Sequence, residues 1–64
     1  MKTFISITYT VNRYENRMNF IRKNGFSPTY TGAARMVARA LNDDGRAVRV
    51  ADISVCRVET MCLQ

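Results

Sequence analysis

Apolar and polar positions alternate without a break over the first strand-length of the chain. Thr3, Ile5, Ile7, Tyr9 and Val11 fall on one side, and Phe4, Ser6, Thr8 and Thr10 on the other. A period of two with this β-branched content predicts a strand whose odd-numbered face is the core face. Phe4 then has to lie at an edge or under a neighbour. The pattern lapses at Asn12 to Asn16, which reads as a polar loop. RMNFIRK, residues 17–23, predicts a second strand forming a hairpin with the first. Asn24 and Gly25 both tolerate positive φ and end it.

After FSPTYT, extended because Pro28 restricts Ser27, the period changes to 3.6. Ala33, Met36, Val37, Ala40 and Leu41 sit at the offsets of one helical stripe. The spacing predicts a helix from Gly32 to Asp43, with Thr31 as N-cap and Gly45 as the left-handed residue after its end. Arg35, Arg39 and Asn42 take the opposite side, and Ala38 lies off the stripe. RAVRVADISVCRV, residues 46–58, predicts a last strand. Its alternation slips once: Val48 and Val50 have one parity, Ile53 and Val55 the other. A bulge or short turn at Ala51-Asp52 would restore them to one side. ETMCLQ reads as a frayed tail or a short packed extension. The element order is β-β-α-β, with the last strand continuous or split. The fold class is α+β: one helix packed on one face of a mostly antiparallel three- or four-stranded sheet.

Length sharpens this picture. The 64 residues form one domain, 1–64, and a chain this short buries only about 60% of its unfolded surface. It has no core to spare for buried polar machinery. The net charge of +5 is unevenly spread. Residues 1–26 hold five cations against Glu15, whereas residues 27–64 hold five against four acids. A basic first half points to an acidic partner and excludes a mimic of DNA. No apolar run approaches the roughly 20 residues of a membrane span. MKTFISITYT alternates where a leader peptide would be continuously apolar. The expectation is a cytoplasmic protein of the host cell, with no membrane partner.

Candidate chemistry is sparse. Histidine is absent, which removes the commonest general base and the commonest metal ligand. Cys56 and Cys62 alone make no zinc site unless a second chain adds ligands. On one continuous strand they stand about 20 Å apart, at about 3.3 Å per residue. A disulfide requires Cα atoms within about 7 Å, so both read as thiols unless the chain reverses between them. Cys56, in an apolar strand, reads as a core thiol rather than a nucleophile. Asp43-Asp44 reads as turn chemistry beside Gly45. The three glycines lie apart and form no phosphate loop. No catalytic residue, cofactor site or metal site is expected, and the chain is not read as an enzyme.

Binding is the remaining class. NRYENRMNFIRK, residues 12–23, carries Arg13, Arg17, Arg22 and Lys23 with Tyr14 and Phe20. Cations among aromatics suit single-stranded nucleic acid, and equally a protein hot spot. Parity puts Arg17, Asn19, Ile21 and Lys23 on one strand face and Met18, Phe20 and Arg22 on the other, so the cations form no single stripe. Arg35 and Arg39 stand one helical turn apart and repel weakly, which an acidic partner would relieve. The candidate partner-binding set is Arg13, Tyr14, Arg17, Arg22, Lys23, Arg35 and Arg39. A solvated, partner-free surface is the alternative for each.

Three segments together, FISITYTV, TYTGAARMVARAL and VRVADISVCRV, resemble a family of small uncharacterised enterobacterial prophage proteins of unknown function. The shared features are an alternating first strand, a Thr-started helix with an apolar stripe, and a last strand of the type V-x-V-x-D-(I/F)-x-V. Asp52-Ile53 stands at the dipeptide of that last motif. Arg13 to Lys23 has no counterpart in the resemblance. The resemblance implies a mobile-element origin and no catalytic residues. It suggests a phage or prophage accessory or inhibitor protein that binds a host protein or nucleoprotein complex stoichiometrically. A weaker analogy joins it to compact anti-CRISPR proteins of sheet-plus-helix build. Direct nucleic-acid binding through the basic hairpin is one alternative. A small structural or oligomerisation module, with homodimer formation, is another.

Overall fold

The computed structural model describes residues 2–23 and 25–63. It contains β1 (Lys2–Val11), β2 (Tyr14–Lys23), α1 (Tyr30–Asp43), a 3-10 turn at Val50–Asp52 and β3 (Ser54–Leu63). The sheet order is β2-β1-β3, and both neighbours pair antiparallel with β1. The architecture is thus a three-stranded antiparallel sheet with one helix, a small α+β fold. β2 and β3 run parallel to each other on either side of β1. Their connection therefore crosses one sheet face, and α1 is that crossover.

The buried side of β1 is Thr3, Ile5, Ile7, Tyr9 and Val11, as its alternation requires. Ile5 and Ile7 meet Val37 of α1 in the centre, all three fully buried. The helix presents Ala33, Ala34, Val37, Ala38 and Leu41, and its alanines allow close approach to the sheet. Ile53 is buried in the same core, with Val55 and Val58 packed against it. Phe4 lies on the other face of the central strand, half-buried between the register positions of Ile21 and Met61. Thr3, the buried polar side chain of the described core, accepts a hydrogen bond from the Gly25 N–H through Oγ1 at 3.1 Å. Gly25 has φ +84, and this bond ties the start of the crossover to the sheet. The expected role of Asn24 lies outside the described residues.

Several boundaries differ from the sequence expectation. The hairpin loop is two residues, not five: Asn12 (φ 53) and Arg13 (φ 69) take the left-handed conformations of a tight hairpin turn. Tyr14, Glu15 and Asn16 therefore belong to β2. The helix starts two residues early, and Thr29, not Thr31, is its N-cap. Thr29 Oγ1 accepts from the Gly32 N–H at 3.1 Å, with Pro28 immediately before it. The C-terminus follows expectation. Gly45 (φ +91) and Arg46 donate their N–H groups to Asn42 and Leu41 carbonyls in a Schellman arrangement.

The last third departs most. Residues 46–49 are not strand, because Asn42 takes the backbone of Val48 for itself. Its Nδ2 donates to the Val48 carbonyl at 3.1 Å and its Oδ1 accepts the Val48 N–H at 2.8 Å. The short turn expected at Ala51-Asp52 is the 3-10 turn. A separate bulge falls at Cys56, where Thr8 opposes Arg57 but Tyr9 opposes Val55. The bulge brings Val55 and Val58 to one face despite their opposite parity. It also leaves Cys56 exposed, which corrects its reading as a core thiol. Residues 59–63 are not a tail: they complete β3 against residues 2–6 of β1. Ala34 and Ala38 join the helix stripe, displacing Met36 and Ala40 to its margin.

Two measurements check this packing. Leu41→Ala should lower stability by about 2–5 kcal/mol in chemical denaturation. Ala38→Ser, at a position only 3% exposed, should also lower the denaturation midpoint. Thr29→Ala should cost about 1 kcal/mol, while Thr31→Ala should leave the midpoint unmoved. The reverse ranking of Thr29 and Thr31 would contradict the cap.

Candidate cationic groove

Helix α1 packs chiefly against β3 and β1. The helix-facing side of β2 is consequently left at the margin. Register places Tyr14, Asn16, Met18, Phe20 and Arg22 on that side, opposite Val11, Tyr9, Ile7, Ile5 and Thr3. Met18 and Phe20 touch the core only at its rim and stay half-buried.

Between β2 and α1 this leaves an open groove of about 400 Å³ lined by Phe20, Arg22, Arg35, Met36, Arg39 and Asp43. Its floor is apolar, from Phe20 and Met36. Its walls are cationic. Arg22 lies over the Phe20 ring at 5.2 Å, a cation–π placement, and donates from Nη1 to the Ile21 carbonyl at 3.0 Å. Arg35 and Arg39 face it from the exposed side of α1. Among the described residues the two ion pairs are Arg49–Asp52 at 3.4 Å and Arg57–Glu59 at 3.9 Å. Neither involves an arginine of the groove, and Asp43 is the only acid lining it.

The seven expected binding residues therefore divide. The fold brings Arg22, Arg35 and Arg39 together. Arg17 and Lys23 point to the opposite, open face of the sheet, in register with Thr8 and Lys2. There Arg17 shares a row with Thr8 and Arg57. Arg13 and Tyr14 sit at the hairpin tip, and Tyr14 is 73% exposed. Sequence reasoning missed Phe20, Met36 and Asp43 as groove residues. The 3.6-residue spacing alone puts Met36 in the core stripe, whereas the buried stripe runs through Ala34 and Ala38 and leaves Met36 partly buried at its margin. The common parity of Phe20 and Arg22 was visible, but which strand the helix would leave bare was not.

Cys56 and Cys62 are both exposed on β3. Cys56 Sγ lies 3.6 Å from Thr10 Oγ1. Among the described residues no cluster of His, Cys, Asp or Glu has metal-binding geometry. No helix among them is long and apolar enough to cross a membrane. Comparison with protein-family models, curated proteins and solved structures finds no match to this chain.

Like charges one turn apart on a helix are weakly unfavourable. Replacing both Arg35 and Arg39 by Gln should therefore leave the thermal midpoint unchanged or slightly higher. A clear loss of stability would mean that these arginines have a folding role, not a binding one.

Proposed function

We propose that this is a small accessory or inhibitor protein of the phage or prophage type, acting by stoichiometric binding to a host protein or nucleoprotein complex. Anti-defence activity falls within this class. The observation that carries the reading is the convergence of Arg22, Arg35 and Arg39 on one apolar-floored groove without an ion pair among them. Arginine beside aromatic and Met surface is the composition of binding hot spots. Such a groove suits an acidic segment that also offers an apolar side chain to Phe20 and Met36. The partner is a protein with an acidic surface, and the chain works in the host cytoplasm without catalysing a reaction.

A second reading, direct nucleic-acid binding, draws on the open sheet face, where Lys2, Arg17, Lys23 and Arg57 lie on the same side as Phe4. It is the weaker one, because Phe4 is the only aromatic of β1 or the hairpin on that face and Arg57 is engaged by Glu59.

Affinity capture from bacterial lysate, with and without nuclease, followed by salt titration of the captured complex, separates the two. A nuclease-resistant protein partner is expected. Arg35→Gln, Arg39→Gln and Phe20→Ala should each weaken its binding, with one or two positions dominating. Salt should act mainly on the association rate. Tight binding of the isolated protein to generic duplex DNA with a log–log salt slope of about −3.6, as four phosphate contacts would give, and equal losses at Lys2, Arg17, Lys23 and Arg57, would overturn the protein-binding reading.

A further inference from the structure

Both outer strands of the sheet are ten-residue edges. An unpaired edge is a template for another strand unless bulges, proline or a covering element blunt it. β3 is blunted by its bulge at Cys56, beyond which its faces change parity. β2 is not. Its register with β1 is unbroken from Lys2–Lys23 to Val11–Tyr14, it contains no proline, and α1 leaves it uncovered. Its two-residue turn closes on a hydrogen-bonded pair, Val11 with Tyr14. The even residues of β2 therefore bond inward to β1. Glu15, Arg17, Asn19, Ile21 and Lys23 direct their N–H and C=O groups outward, where the Ile21 carbonyl accepts from Arg22 Nη1 at 3.0 Å and the Lys23 carbonyl from the Phe26 N–H at 3.2 Å.

We propose that β2 pairs antiparallel with β2 of a second copy of this chain, about a two-fold axis at Asn19, forming one continuous six-stranded sheet. Charge selects both the occupant and the register. A two-fold pairing sets residues of like parity opposite each other and keeps both helices on one face. With Asn19 opposite the partner's Asn19, Glu15 faces the partner's Lys23, and Lys23 faces the partner's Glu15. On the helix side, Met18 faces the partner's Phe20 and Arg22 faces the partner's Asn16. The neighbouring registers are worse. Centring on Arg17 opposes two arginines. Centring on Phe20 opposes Arg17 and the partner's Lys23. Centring on Met18 forms no opposite-charge pair; like the Asn19 register, which sets Arg17 against the partner's Ile21, it puts one charge, Glu15, against that residue. Like charges directly opposite on a sheet are destabilising, and opposite charges stabilising.

The Asn19-centred register joins the run 15–23 of both copies through about eight backbone hydrogen bonds, two for each outward-facing pair less the Lys23 carbonyl of each copy, which the Phe26 N–H already holds; the Ile21 carbonyl is shared with or released by Arg22 Nη1. It also addresses what the monomer leaves unfinished. Met18 and Phe20, half-buried at the rim of the core, meet their counterparts in the valley between the two helices. The two cationic grooves then lie side by side across the axis.

Sedimentation equilibrium from micromolar to millimolar protein tests the arrangement. The wild type should reach twice its 7.3 kDa chain mass. Lys23→Glu and Glu15→Lys should each weaken the dimer roughly tenfold or more, since two like-charged pairs replace two opposite ones. The double variant Glu15→Lys/Lys23→Glu should restore it. Circular dichroism verifies that each variant folds. If one does not, Asn19→Cys in a Cys56→Ser/Cys62→Ser background serves instead. The axis sets the two introduced thiols on opposed residues about 5.5 Å apart at Cα, within disulfide reach. A cross-linked dimer on mild oxidation is expected there and not with Ile21→Cys. A monomeric wild type, single reversals without effect, failure of the double variant to restore, or dissociation caused instead by Phe4→Ser on the open face would each overturn the proposal. The dimer does not depend on the groove reading: Arg35→Gln/Arg39→Gln should abolish partner capture and leave the dimer intact.

Discussion

One helix has to close the core of a three-stranded sheet, and it is too narrow to do so. An α-helix with its side chains is about 10 Å across, while three strands spaced at about 4.8 Å need more than that. α1 settles over β1 and β3, where its alanines reach Ile5, Ile7 and Ile53. The rest of the molecule follows from this asymmetry. β2 is held by its ladder to β1 and by the rim contacts of Met18 and Phe20. Its helix side is left as the floor of a groove, and its outer edge is left without a partner.

The same constraint explains why the arginines are where they are. A helix displaced from β2 exposes its flank toward that strand, and Arg35 and Arg39 occupy that flank. Arg22 reaches the groove from the sheet because its parity matches Phe20. A wider helical layer would have covered Phe20 and Met36 and dispersed the cations. The groove is a by-product of incomplete coverage, with cationic walls over an apolar floor. Ion pairs elsewhere, such as Arg49–Asp52, leave its guanidinium groups available.

Backbone satisfaction shapes the connections. The Thr29 cap, the Schellman turn at Gly45 and the two bonds from Asn42 to Val48 together fix where the crossover leaves the helix. Having Val48 bound to Asn42 delays the last strand until Ser54. The bulge at Cys56 then corrects the phase, so that Val55 and Val58 both reach the core.

What the sequence determined was the local, strictly periodic part. The alternation from Thr3 to Val11 named the buried face of the central strand. The 3.6-residue repeat placed α1 and its buried Val37 and Leu41, and Gly45 marked its end. The order β-β-α-β, and the split of the hairpin cations between two faces, were likewise readable from period and parity. Tertiary structure decided the remainder. Asn12-Arg13 could be recognised as the whole turn only once Tyr14 was paired with Val11. Residues 59–63 became strand because β1 offered them an edge, not because their own pattern was periodic. Ala34 and Ala38 proved buried because the helix axis rotated toward β3. The cationic groove was hidden for the same reason. Its residues come from two elements far apart in the chain, and only the position of α1 over the sheet sets them side by side.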